Sequence, residues 1–287
     1  YFLEGDKMSH EENVRIISDT LNMCENNEKL RQSIDYSIEN QHLYLEGEDI
    51  EIDSINRFDK PAEIVFSTKR TLEAAGGYGD RKVAALNFAN PIDPGGGVMY
   101  GAHAQEESIC RCSTLLPCLV DEYLIENFYL IHQEKKRSGL MDNNYNDDCI
   151  YTPNIHVFKS DTLSPQLMDE DKWYCVDIIT CAAPNLYRKK SYFGDGSPKI
   201  KAEELKELHI NRFRQIFNVA LREKAEVLIL GAFGCGAFKN PPEVVAEAVY
   251  EIIQEYVYSF ETIEFAIYSS QGESKNLSTF KRVFNIV

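Results

Sequence analysis

Between Pro61 and the C-terminal end, six short apolar runs recur with helical patterns between them, and this alternation constrains the fold more than any other feature. The runs are EIVFS from Glu63, KVAALNF from Lys82, IHVF from Ile155, CVDIIT from Cys175, EVLILGA from Glu226 and IEFAIYS from Ile263. Each is continuous rather than alternating, the pattern of a strand buried on both faces. Leu205, Leu208, Phe213, Ile216, Phe217 and Ala220 trace one helical face, and Leu277, Phe280, Val283 and Phe284 another. Strands alternating with helices predict an α/β sheet covered by helices on both sides. With 287 residues, 44% of them apolar, the chain can bury one large core, or a core and a small accessory piece.

Residues 1–60 read differently. Val14, Ile17, Leu21 and Cys24 fall at helical spacing, and Asn- and Glu-rich sequence follows. This stretch is predicted to be an N-terminal helical accessory region, its first seven residues, before Met8, an appended segment rather than native sequence. The principal domain then spans 61–287.

Thirty basic residues against 46 acidic ones give a net charge of −16, which repels nucleic acid and anionic membrane at long range. A phosphate ligand must therefore be held locally, by backbone N–H groups of glycine loops or helix N-termini. No apolar run approaches the roughly 18 residues of a membrane helix and no secretory leader is apparent, so the expected compartment is cytoplasmic, with neither membrane nor nucleic acid as a partner. The eight cysteines are scattered and read as reduced core thiols. His103, Cys110, Cys112 and Cys118 match no paired C-x-x-C spacing, and Cys110 and Cys112 on one helix would point to different faces, so neither metal nor cofactor is expected. The basic run Tyr187–Lys190 reads as solvated surface.

In folds of this kind ligands sit beyond the strand C-termini. Two such exits are glycine-rich, Leu86–Gly97 and Gly231–Glu243. A single tight turn needs one positive-φ residue, so the consecutive Gly95, Gly96 and Gly97 suggest close backbone approach by a phosphate or diphosphate, stiffened by Pro91 and Pro94. In the second loop Gly234 and Gly236 permit the same approach, and Phe238 either lies on a sugar or base or plugs the core. Asn240 is expected to cap the helix that follows, with Pro241 at its first position and Glu243 completing a capping box. Neither loop carries a P-loop or dinucleotide fingerprint.

Seven residues after the glycines stand Gln105, Glu106 and Glu107, at the start of a helix predicted over 104–116, with Ile109, Cys112 and Leu116 facing inward. Adjacent helical residues lie roughly 100° apart, so the two glutamates cannot flank one bond. Either they are solvated, with Glu107 pairing Arg111 at i+4, or one acts while its neighbour positions a hydroxyl. Two close carboxylates hold one proton more tightly, as a general acid requires.

The GGG loop followed by QEE resembles the microbial-type poly(ADP-ribose) glycohydrolases, enzymes of the macrodomain fold. The resemblance extends through LNFANP, CRCSTLLPCL, the APN at Ala183–Asn185 and GAFGCGAFKNPPEVVAEA. It implies a macrodomain-like mixed sheet, ADP-ribose or its polymer as partner, in part on modified proteins, and hydrolysis of the ribose–ribose bond. Asn90 and Gly95–Gly97 would hold the diphosphate and distal ribose. Glu107 would be the catalytic acid, Glu106 would bind the leaving ribose, and Gln105 would order the loop. Gly234, Cys235, Gly236 and Ala237 would cradle the diphosphate from the other side, with Phe238 on the terminal ribose. A module that binds ADP-ribose without turnover and a mono-ADP-ribosyl hydrolase are the alternatives.

Overall fold

A computed structural model of the chain describes residues 9–187, 200–270 and 272–286. The segment before Met8 and the basic residues Arg188–Lys190 lie outside these. Among the described residues seven strands form one sheet: β1 (His42–Tyr44), β2 (Glu63–Ser67), β3 (Val83–Phe88), β4 (Cys149–Val157), β5 (Tyr174–Cys181), β6 (Val227–Leu230) and β7 (Thr262–Ala266). Their order is β1-β4-β5-β3-β6-β7-β2, with the β5, β3, β6, β7 and β2 contacts parallel and those of β4 with β1 and β5 antiparallel. The expected mixed α/β sheet is present, and all six predicted strands are in it. The three-residue β1, within the stretch expected to be helical, adds an antiparallel edge.

Helices cover both faces. On one pack α8 (Ala202–Arg222), α9 (Pro242–Glu255) and α10 (Lys275–Val283); on the other lie α3 (Thr71–Ala75), α4 (Gln105–Cys112), α5 (Leu115–Leu119) and the π-helical turn Ile125–Tyr129 that leads from α6 (Glu122–Leu124) into α7 (Leu130–Arg137). The pleat of β3 shows why its sequence is apolar throughout: Ala84 and Leu86 join the first core, Val83 and Ala85 the second. None of the helices described is long and apolar enough to cross a membrane.

The N-terminal helices α1 (His10–Asn26) and α2 (Glu28–Asn40) start where local chemistry places them. Ser9 Oγ accepts from Glu12 N–H at 3.1 Å while Glu12 accepts from Ser9 N–H at 2.9 Å, a reciprocal capping box. Asn27 Oδ1 then caps α2 through Leu30 N–H at 3.2 Å. Helix α2 docks on the β4 bulge, where the Ser37 hydroxyl donates to Pro153 O at 2.7 Å. Helix α1 lies on α4 with Ile17 fully buried. Thr20 Oγ1 donates to Arg111 O at 2.7 Å and accepts from buried Lys159 Nζ at 2.8 Å, and Asn13 Nδ2 donates to Gly101 O at 3.0 Å.

Thr20→Val keeps the shape but strips Arg111 O and Lys159 of a buried partner. Urea unfolding is expected to show a loss of about 1–3 kcal/mol, the cost of unsatisfied buried polar groups; a midpoint equal to wild type would show that the contact is not holding α1.

Candidate active site

β3 ends at Phe88 in the middle of the sheet, and its parallel neighbours β5 and β6 end beside it, so three strand exits share one edge. Gly231, the first residue after β6, lies directly on the end of β3: a Cβ there would sit 2.9 Å from Phe88 Cζ, and the Phe88 and Phe233 rings are 5.4 Å apart. The two glycine loops therefore flank a single rim.

Gln105 opens α4 and turns its side chain back onto the strand end. Its Oε1 accepts from Phe88 N–H at 2.8 Å, and its Nε2 donates to Leu86 O at 2.7 Å and to Thr71 Oγ1 at 3.0 Å. The amide satisfies backbone groups at the end of β3 and fixes the direction in which the loop leaves. Asn90 begins that loop with its Oδ1 accepting from Ile92 N–H and Asp93 N–H at 2.9 and 3.2 Å, a local turn that brings the glycines back over α4.

Both glutamates point into this loop and both are buried. Glu107 Oε1 accepts from Gly97 N–H at 2.9 Å, whereas Glu107 Oε2 is buried with no hydrogen-bond partner among the described residues. Glu106 Oε2 accepts from Asn90 N–H at 2.8 Å and Oε1 from Asn87 Nδ2 at 3.3 Å. Gly96, at φ 58°, lies against the pair: a Cβ here would be 2.6 Å from Glu107 Oε1 and 3.1 Å from Glu106 Oε2. The glycine is required by the protein's own carboxylates as well as by its left-handed backbone. Burial, with the charge of Glu107 added, outweighs the hydrogen bonds and pushes the Glu106 carboxyl up to about 8. Solvated glutamates with a Glu107–Arg111 pair do not form, because the Arg111 guanidinium turns to Ala102 O at 2.6 Å.

The helix carrying the glutamates is shorter than its periodicity predicts. It ends at Cys112, where the Ser113 hydroxyl donates to Ile109 O at 2.8 Å and Ser113 extends to bridge Val157. Pro117 then sits in the first turn of α5, where its missing N–H costs nothing. Cys110 and Cys112 are both buried, since α4 is enclosed on nearly every side. Among the described residues no His, Cys, Asp and Glu group has the arrangement of a metal site.

In the second loop Gly234 has φ 71°, and a Cβ there would lie 2.6 Å from Ala183 and 2.5 Å from Asn240 Nδ2. Gly236 and Ala237 are exposed, Gly236 with open space where a side chain would be, and Cys235 is half-buried. Phe238 packs on the core with its ring 6.3 Å from Tyr145. The expected cap is not made. Helix α9 begins at Pro242 without a side-chain cap, and Asn240 turns inward instead, donating to Pro184 O at 2.7 Å and Gly234 O at 3.1 Å while Oδ1 meets His209 Nε2 at 3.0 Å. Tying three segments together satisfies all of this buried amide, which capping would not. Glu243 pairs with Arg282 at 2.6 Å on the surface.

The family model of the microbial-type PARG (poly(ADP-ribose) glycohydrolase) catalytic domain matches residues 10–160, more than half of the chain. The chain belongs to this family. The PARG of Thermomonospora curvata is similar in structure at a TM-score of 0.77 and 27% identity, over 96% of this chain and 100% of that one. A second Thermomonospora structure, bound to the inhibitor ADP-HPD, matches at 0.75 and 26% identity over 95% and 99% of the two chains. The Deinococcus radiodurans PARG in complex with ADP-ribose matches at 0.74 and 27%, over 88% and 96%. A search of curated proteins by sequence found no match.

In this PARG-family chain, sequence reasoning missed Asn87, although an amide inside the buried run VAALNF was a visible signal. It also passed over His132, Asn240 as a buried tie, and Thr71.

The pH dependence of stability reports on Glu106. Its folded carboxyl titrates at about 8 against an ordinary 4.5, so between those values the unfolded chain has released a proton that the folded chain keeps. Stability falls as pH rises across that window and levels off above it. Glu106→Gln removes the component, so melting temperatures of variant and wild type should converge toward the acid end and separate toward pH 8; parallel curves would place the raised group elsewhere.

Proposed function

We propose that this chain is a poly(ADP-ribose) glycohydrolase that cleaves the ribose–ribose O-glycosidic bond of the polymer and releases ADP-ribose. The observation that carries the reading is the Glu107 carboxylate, with one oxygen fixed by Gly97 N–H at 2.9 Å and the other buried and unpartnered beside the triglycine turn. Electrostatics alone nominates Glu106 as the proton holder, because its carboxyl is pushed up to about 8. Geometry nominates Glu107, because both Glu106 oxygens are already engaged. Geometry decides, since the proton retained by two adjacent carboxylates belongs to the pair.

Glu107 donates a proton to the ribose oxygen that leaves the anomeric carbon. The C–O bond breaks through an oxocarbenium-like state, and the resulting carboxylate takes a proton from the water that attacks the anomeric carbon. Glu106 positions the leaving ribose through its remaining lone pairs. The loop from Asn90 to Gly97, ordered by Gln105, holds the diphosphate and distal ribose. Gly234, Cys235, Gly236 and Ala237 close on the diphosphate from the other side, and Phe238 orients the terminal ribose. Residues 61–287 carry this machinery, and residues 1–60 act as an accessory brace on it, a role supported by the hold of Asn13 on Gly101 O at 3.0 Å. The substrate is free polymer or polymer on modified proteins. The cytoplasm is the proposed compartment, supported by eight cysteines that are all free thiols.

Glu107→Gln keeps an acceptor for Gly97 N–H but cannot cycle a proton. Release of ADP-ribose from labelled polymer should drop by at least about 10²-fold, the lower range of general acid–base contributions, with ADP-ribose affinity by calorimetry near wild type. Turnover that survives in the variant removes Glu107 from the mechanism. A wild type that binds ADP-ribose yet releases none from polymer, or releases it only from mono-ADP-ribosylated protein, selects one of the other two readings.

A further inference from the structure

Helix α7 inverts the usual pattern of burial. Leu130 and Ile131 are 50% and 41% exposed, while His132 is 1% exposed. The preceding π-helical turn shifts the helical phase, and such bulges recur at functional sites. The inward-turned imidazole spans two acceptors. Its Nδ1 lies 3.1 Å from Pro91 O, in the glycine loop, and its Nε2 lies 2.9 Å from Asp148 Oδ2. A carbonyl only accepts, so Nδ1 carries a hydrogen. Asp148 accepts from three donors: His132, Asn146 Nδ2 at 2.6 Å and Glu46 N–H at 2.6 Å. Burial opposes ionisation of this carboxyl, but the hydrogen bond from His132, with those from Glu46 and Asn146, outweighs it and holds Asp148 below the ordinary carboxylate range. The imidazole is thereby held at both ring nitrogens, by the loop carbonyl on one side and by the Asp148 carboxyl on the other. The Phe128 ring, 4.1 Å away, covers it.

The clamp lies one peptide from the carboxylate pair. Pro91 follows Asn90, whose N–H reaches Glu106, and the loop continues to Asp93, whose carbonyl accepts from Gly96 N–H at 3.0 Å. The residue after His132 repeats the contact, with Gln133 Nε2 donating to Ile92 O at 2.9 Å. Two successive residues of α7 thus grip two successive carbonyls of the loop.

We propose that His132 is a positioning residue for ADP-ribose binding: clamped between Asp148 and Pro91 O, it sets the pose in which the Asn90–Gly97 loop receives the diphosphate. The inference rests on the reading of that loop as an ADP-ribose site. The bond to Pro91 O is buried, so its loss is costly even though His132 touches no substrate.

The experiment pairs calorimetry and kinetics on His132→Gln with nitrogen-15 spectroscopy of the wild-type imidazole. The folded variant should bind ADP-ribose roughly tenfold more weakly, as the loss of one buried hydrogen bond implies. KM for polymer should rise in step while kcat changes far less. The wild-type His132 ring should carry a proton on Nδ1, and saturating ADP-ribose should slow exchange of that proton, because loop opening that breaks the bond also releases the ligand. This second readout holds even where the variant does not fold. Equal affinity in folded variant and wild type, an Nδ1 without a proton, or exchange indifferent to ADP-ribose each overturns the proposal while leaving the functional reading intact. Absence of ADP-ribose binding by the wild type overturns the functional reading, and this one with it.

Discussion

The contact on which the site depends is the 2.9 Å hydrogen bond from Gly97 N–H to Glu107 Oε1, made across a residue that can carry no side chain. Any Cβ on Gly96 would stand 2.6 Å from the same oxygen. Glycine is therefore the condition for bringing loop and carboxylates together, before any ligand arrives. Once the loop is seated, one oxygen of Glu107 is engaged by Gly97 N–H while the other stays buried without a partner among the described residues.

Seating two adjacent carboxylates in a protein interior costs several kcal/mol per ion if both stay charged, about the scale of the whole protein's net stability. Three features lower that cost. Asn87, Asn90 N–H and Gly97 N–H donate to the pair, and both glutamates lie in the first turn of α4, where the helix dipole favours negative charge. The third is the proton itself: Glu106 retains one up to about pH 8, so the pair spends neutral pH carrying less than its full charge. In the proposed mechanism the same retained proton is the one the acid donates, so what relieves the burial cost would also provide the chemistry.

The parts of this arrangement legible in the sequence are those set by local pattern. Continuous apolar runs predict six of the seven described strands because burial on both faces favours apolar side chains, and the run at Glu63 is among them although β2 lies at an edge and is only half-buried. The short β1 has no such run; three residues paired at an edge need little hydrophobicity. The triglycine and QEE spacing identifies the site, but the reason for the glycines differs from ligand approach alone. Asn240 shows the limit of local rules most clearly. N-P-P-E reads as a cap, and the amide instead finds three partners in Pro184, Gly234 and His209, residues 56, 6 and 31 positions away. Tertiary hydrogen bonding outcompetes a cap worth about 1 kcal/mol, and no window of sequence contains that competition. His132 was illegible for the same reason, since its meaning depends on Pro91 and Asp148.

A chain of net charge −16 that handles a diphosphate must recognise it without long-range attraction. Charged side chains act over a screening length of about 8 Å in physiological salt, whereas peptide dipoles act only at contact and only when aimed. Recognition by backbone is therefore a matter of pose: an N–H rotated away contributes nothing, while a lysine on a flexible stem can still find the phosphate. At the rim, side chains bind backbone carbonyls of the loops and of the β3 end. Gln105 fixes the end of β3 and Asn240 holds Gly234, while His132 and Gln133 hold Pro91 and Ile92. On the proposed reading these supports take the place that cations occupy elsewhere, because they fix the direction in which the peptide dipoles are aimed.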